Sequence, residues 1–121
     1  MSEHSFFRLP AVALVVAVGT IPALAHSRPK TMTPPANSTV SAPAELSVFF
    51  TEPLEPKFSS LQLLDSHGQV LSTSASVVEP SNHAHMTLAL PKLAPGTYNV
   101  HWVSAALDGH RMDGTYSFAV K

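Results

Sequence analysis

Two short stretches of this chain carry residue types whose spacing can do chemistry: Ala23-Leu24-Ala25 followed at once by His26, and Asp108-Gly109-His110 near the other end. The first is a small-residue cleavage site behind an apolar run, the pattern of a secretory leader. A cut after Ala25 makes His26 the first residue of the mature protein. Such a histidine offers a metal its free α-amine and its ring Nδ1, which together close one chelate ring. Asp108 and His110 stand two apart, and in an extended segment their carboxylate and imidazole project to the same side. Asp-Gly is also an ordinary turn dipeptide, and Asp113-Gly114 repeats it with no metal implied. Combined with His26, the motif completes a set of one amine, two imidazoles and one carboxylate. These N₃O donors suit tetragonal Cu(II), and the same donors fit Zn²⁺ or Ni²⁺. Cu(II) stands highest in the divalent affinity order. Every donor must lose its proton, so binding weakens as pH falls through the amine and imidazole range.

The leader has Arg8 as a modest positive start, with Glu3 working against it, and an apolar run over residues 9–18 broken by Pro10. That run is short for a membrane-spanning helix, which needs about 20 residues. The expected boundary divides the chain into a signal peptide, residues 1–25, and one mature domain, residues 26–121. Removing 25 of the 121 residues leaves 96, enough for one domain and not two. The mature part keeps six Lys or Arg and seven Asp or Glu, a formal net charge of −1. This balance argues against nucleic acid, whose binding rests on dense Lys and Arg contacts to phosphate. It also supplies no polybasic membrane-binding stretch, and no stable membrane insertion is expected after cleavage. The chain has no cysteine, which excludes disulfides, Cys-ligated zinc, iron–sulfur clusters and blue-copper centres.

The elements that must position these donors read as short strands between turn signals. Leu46, Val48 and Phe50 share a face at period two, and residues 61–64 form a short apolar run ending at Asp65-Ser66-His67-Gly68. Residues 69–78 are rich in Ser, Thr and Val. Met86, Leu88 and Leu90 alternate with His85, Thr87 and Ala89. Tyr98, Val100 and Trp102 then share a face, as do Tyr116, Phe118 and Val120. With a first strand near residues 30–33 the count is about seven, the pattern of an all-β sandwich. Prolines lie between or at the ends of these runs, where no ladder hydrogen bond is lost. Residues 33–43 read as an ordered crossing loop. Asp108-Gly109-His110 falls in the loop between the last two strands.

The N-terminal histidine, Pro35-Ala36-Asn37-Ser38, Phe50-Thr51-Glu52-Pro53, Pro95-Gly96-Thr97-Tyr98-Asn99-Val100-His101-Trp102, Asp108-Gly109-His110 and Gly114-Thr115-Tyr116-Ser117-Phe118 together resemble the CopC family of periplasmic copper-resistance proteins. The resemblance covers essentially the whole mature region. It implies an immunoglobulin-like Greek-key sandwich or barrel that binds one Cu(II) per chain at one end. It assigns His26 as amine and imidazole ligand, with Asp108 and His110 completing the set. Glu52 looks like the family's acidic residue close to the copper, either an axial ligand or a neighbour of the ligands; a solvated strand-end glutamate is the alternative. The resemblance also implies a periplasmic monomer and an inner-membrane copper transporter of the CopD type as partner. Some family members carry a Cu(I) site in a Met-rich loop. Here Met32, Met86 and Met112 are scattered, soft Cu(I) favours several thioethers, and Cu(II) alone is expected. Arg111 stands where many relatives have proline.

Outside that set, His83 and His85 are expected to share a strand face, exposed, as at most a weak second site. His101 and His67 have no evident role. Three functions follow. The leading one is an exported copper carrier or buffer, not an enzyme. The second is a copper monooxygenase, whose N-terminal histidine binds copper in the same way but which needs an aromatic docking platform. The third is a metal-free sandwich module for adhesion or assembly, with Asp108-Gly109 merely a turn.

Overall fold

The computed structural model describes residues 10–16 and 26–121. Residues 1–9 and 17–25 lie outside the described residues, and with them the expected cleavage region of the leader. Residues 10–16 have no regular secondary structure and are exposed. Among the described residues no helix is long and apolar enough to cross a membrane.

Period-two alternation decides the architecture. Among the described residues eight strands form: β1 (Pro29–Thr33), β2 (Thr39–Val40), β3 (Glu45–Phe50), β4 (Ser60–Leu64), β5 (Val77–Val78), β6 (His85–Ala89), β7 (Gly96–Ala105) and β8 (Arg111–Val120). They pair into two four-stranded sheets, one in the order β1-β3-β6-β5 and the other in the order β2-β8-β7-β4. All pairings are antiparallel except β2 with β8. The chain alternates between the sheets as far as β5 and then forms two neighbouring pairs, β5–β6 and β7–β8. The result is the expected all-β sandwich.

The inner faces supply the core. Leu46, Val48 and Phe50 of β3, with Met86 and Leu88 of β6, meet Leu61 and Leu63 of β4, Tyr98 and Val100 of β7, and Phe118 and Val120 of β8. Each set sits at alternate positions, so one face of each strand is buried and the other solvated. Met86 is a core residue, as its place beside Leu88 predicts.

Two segments differ from expectation. Residues 69–78 form a strand only at Val77–Val78; the rest is loop, apart from a bridge between Leu64 and Val70. Serines replace the ladder there: Ser76 Oγ accepts from Leu61 N–H at 2.9 Å, and Ser72 Oγ from Leu63 N–H at 3.4 Å. A Ser-rich run can thus serve a neighbouring strand with hydroxyls instead of its own backbone. The crossing loop contains β2, two residues whose pairing with Ala119 and Val120 is decided by tertiary contact.

The only tryptophan lies half-buried on the core edge rather than inside it. Trp102 stands opposite Gly114 in the β7–β8 ladder, and its ring covers that glycine. A Cβ on Gly114 would lie 2.6 Å from Trp102 Cζ2 and 2.8 Å from Cε2, far inside contact distance. The indole thus fills the space of the missing side chain and meets Phe50 edge-on, with ring centroids 6.1 Å apart. Gly114→Ala should therefore lower stability by about 1–3 kcal/mol, the usual cost of overpacking, seen as a lower thermal midpoint of the metal-free protein. An unchanged midpoint would mean that the indole swings away freely.

Candidate metal centre

Asp108 and His110 sit at the tip of the β7–β8 hairpin. The tip is closed by Ala106 N–H donating to the His110 carbonyl at 2.9 Å and Gly109 N–H donating to the Ala106 carbonyl at 3.0 Å. Gly109 takes φ +89°, a left-handed backbone that suits glycine. The segment is a turn and not extended, so the two side chains meet in a different way from the sequence expectation. Asp108 folds back on His110: its Oδ1 accepts the His110 backbone N–H at 3.0 Å, and its Oδ2 lies 3.0 Å from His110 Nδ1.

His26 arrives from the opposite end of the chain. Residues 26–28 run beside the end of β3, where Thr51 N–H donates to the Arg28 carbonyl at 2.8 Å. The His26 and His110 rings meet edge-on, with centroids 5.4 Å apart and planes at 84°. His26 Nδ1 is buried and has no hydrogen-bond partner among the described residues. An orphaned ring nitrogen is costly to bury unless a ligand takes it.

These dimensions fit a tetragonal ion. Two donors about 2.0 Å from one metal and at right angles lie about 2.8 Å apart, close to the observed Nδ1–Oδ2 separation. A metal can thus replace the proton shared by Asp108 and His110 with little movement of either. Two imidazoles on one ion have ring centres at most roughly 6 Å apart, since each centre sits about 3 Å from the metal; the observed spacing lies inside that limit. The remaining donor is the His26 nitrogen, which in the full chain is an amide joined to Ala25 and becomes an amine only on cleavage. Among the described residues no three His, Asp or Glu side chains are gathered into a ready-made metal cluster. The donors meet pairwise, through His110.

Glu52 is half-buried and shares a small cleft with Pro53, Ala106, Leu107 and Asp108. It therefore stands beside the tip loop, where the resemblance puts the family's acidic residue. The other histidines lie elsewhere. His83 is in the turn before β6 and does not share a strand face with His85. His85 is not free in solvent: it stacks on Phe49 with centroids 4.0 Å apart, and its Nε2 lies 2.7 Å from Ser47 Oγ. His101 Nε2 pairs with Asp113 at 3.2 Å, and His67 sits in a turn. Tyr98, Trp102 and Tyr116 all turn toward the core, so these three furnish no aromatic platform. Burial raises the Tyr116 phenol well above its ordinary pKa.

The family model of the CopC domain matches residues 29–121. The chain belongs to the CopC family. It is 33% identical over 106 residues to copper resistance protein C of Escherichia coli, covering 82% of this chain and 84% of that protein. It is 32% identical over 98 residues to copper transport protein CutJ of Bacillus subtilis, where the match covers 79% of this chain but only 18% of the relative's length. The crystal structure of CopC from Methylosinus trichosporium OB3b superposes with a TM-score of 0.74 at 32% identity, covering 79% of this chain and 94% of that one. Membership makes the chain a binding protein and not an enzyme. The family match takes in Glu52, Asp108 and His110 and starts three residues after His26, so the N-terminal donor stands on geometry of its own.

The charge state of the tip loop gives a direct check. Hydrogen bonds from the His110 backbone N–H and then from its ring hold the Asp108 carboxyl below the ordinary carboxylate pKa, against an opposing effect of desolvation, with lesser help from the charges of His110 and His26. A depressed folded-state pKa stabilises the fold above the unfolded-state value, and that contribution is lost as pH falls through the depressed one. In metal-free protein the Asp108 carboxyl should therefore titrate by NMR below the same residue in an unfolded peptide. A midpoint at or above the peptide value would mean that the turn does not hold the carboxylate.

Proposed function

We propose that this CopC-family chain, once residues 1–25 are removed on export to the periplasm, holds one Cu(II) for copper resistance, buffering or delivery. The ligands are the α-amine and Nδ1 of His26, a carboxylate oxygen of Asp108 and an imidazole nitrogen of His110. The observation that carries this reading is the buried, unpartnered Nδ1 of His26 beside a carboxylate–imidazole pair already at the spacing of neighbouring ligands. The six-membered ring closed by the amine and Nδ1 of His26 suits Cu(II), and hard carboxylate with imidazole favours it over Cu(I). The chain acts as a monomer. Its delivery partner is an inner-membrane copper transporter of the CopD type, a reading in keeping with a relative in which the matched region is a small part of a copper transport protein. Glu52 is the neighbour that adds negative charge to the site and can serve as an axial ligand.

Titration calorimetry on the mature form, residues 26–121, tests the centre. One tight Cu(II) per chain is the expected result, and no tight site would sink the copper reading. A form with one extra residue before His26 should bind much more weakly, because its His26 nitrogen is an amide; equal affinity would remove the amine from the ligand set. His110→Ala and Asp108→Ala should each weaken binding by about 10–100-fold or more, at least the effect of losing a group that only supports a ligand. Both lie in an exposed loop, so the metal-free variants should keep the sandwich fold, seen as an unchanged far-ultraviolet circular dichroism spectrum. Glu52→Gln separates its two roles: a changed Cu(II) spectrum marks a ligand, an unchanged one a neighbour.

A further inference from the structure

We infer that Ser104, acting through Ser27, is a positioning residue for the copper centre: its hydroxyl anchors the new N-terminus so that the amine and ring of His26 are presented to Asp108 and His110. The inference rests on the copper reading above and adds to it the device that makes a chain terminus into a fixed ligand.

Chain termini fray unless something ties them down. A chelate whose two donors both belong to the first residue is therefore weak if binding must also order the segment that follows. Here that segment is ordered by hydroxyl groups. Ser104, on the inner side of β7, donates from Oγ to the Ser27 carbonyl at 2.5 Å. Ser27 donates from its own Oγ to the Glu52 carbonyl at 2.9 Å. Thr51 Oγ1 accepts the Arg28 N–H at 3.0 Å and donates to the His26 carbonyl at 3.3 Å. Ser27 and Ser104 are each only 1% exposed, so two of the buried polar side chains among the described residues are used on the two bonds that hold this segment.

The contact adds a side-chain tie between parts of the fold that are also joined close by, where Glu55 N–H donates to the Ala105 carbonyl at 2.8 Å. Ser104 belongs to the sheet of β7 and β8, while Thr51 and Glu52 continue from β3 of the other sheet. Ser27 spans the end of the sandwich between them. Ser104 is also two residues before Ala106, whose N–H closes the tip loop on His110. One strand thus grips the N-terminal segment and carries the loop with the other donors. Only one residue separates the anchored carbonyl from the His26 amine, which leaves the amine little freedom.

Ser104→Ala and Ser27→Ala in the mature protein test this, with wild type and Cu(II) as reference. Each variant removes one hydroxyl and little volume. Cu(II) affinity should fall about tenfold or more, the size of effect known for groups that orient ligands. The Cu(II) electron paramagnetic resonance spectrum should change from one species to a mixture. In metal-free protein, the amides of Arg28 and Thr51 should exchange faster with solvent, while core amides of β7 and β8 should not. Wild-type affinity with a wild-type spectrum in both variants would overturn the inference, even if exchange at residues 26–28 quickened. If Ser104→Ala fails to fold, Ser104→Cys decides in its place, since it keeps the volume at β7 and replaces the hydroxyl with a weak donor to the Ser27 carbonyl. If wild type itself binds no Cu(II) tightly, the copper reading fails, and with it any positioning role, whatever the exchange rates show.

Discussion

The pairing of β7 with β8 is the constraint on which the rest of the molecule depends. Ten residue pairs run without a break from Gly96 opposite Val120 to Ala105 opposite Arg111. The two strands are the inner pair of their sheet, so one side of this hairpin is core and its tip is the loop proposed to hold the metal. A slip of one residue between them would put Phe118 and Val120 on the opposite face from Tyr98 and Val100, so both pairs could not be buried at once. It would also break the five-residue closure that folds Asp108 onto His110. Packing and ligand geometry are thus secured by the same ladder, in a domain with no cysteine to brace it.

How far the sequence discloses this depends on which kind of contact makes each element. β3, β6, β7 and β8 announce themselves because their buried side chains alternate with polar ones, and that alternation is a property of the strand itself. β2 does not, since two residues carry no pattern and form a strand only because β8 lies beside them. Residues 69–76 mislead because Ser and Thr suit strands and also suit side-chain hydrogen bonding; only the position of β4 selects the second use. Trp102 looks like an inner-face residue, and the glycine across from it, which lets the ring lie along the edge, becomes visible only with the register.

The candidate site divides in the same way. His26, Asp108 and His110 are legible because an N-terminal histidine and an Asp-Gly-His loop are unusual chemistry at definable places. The turn that joins Asp108 to His110 is local but depends on Gly109 taking a left-handed backbone. Ser27 and Ser104 are illegible in sequence: two serines 77 residues apart have no spacing to mark them, and serine is usually a surface residue. Their role comes entirely from burial between two sheets. The donors proposed for the metal come from both ends of residues 26–121, so a metal held by them would close nearly this whole segment into one loop and bind the folded state far better than the unfolded one.

The serines over β4 have a consequence for association between copies of the chain. A sandwich exposes four sheet margins, here β1, β2, β4 and β5, and each unpaired margin invites another chain to add a strand. β2 and β5 are two residues long and offer almost nothing to copy. β1 begins at Pro29 and breaks register beside it. β4 is the one margin with length and apolar content, and Ser72 and Ser76 occupy its outward N–H groups with hydroxyls, which satisfy the backbone yet present no strand of their own. The margin at β4 is thereby made a poor template for an added strand without any covalent clasp.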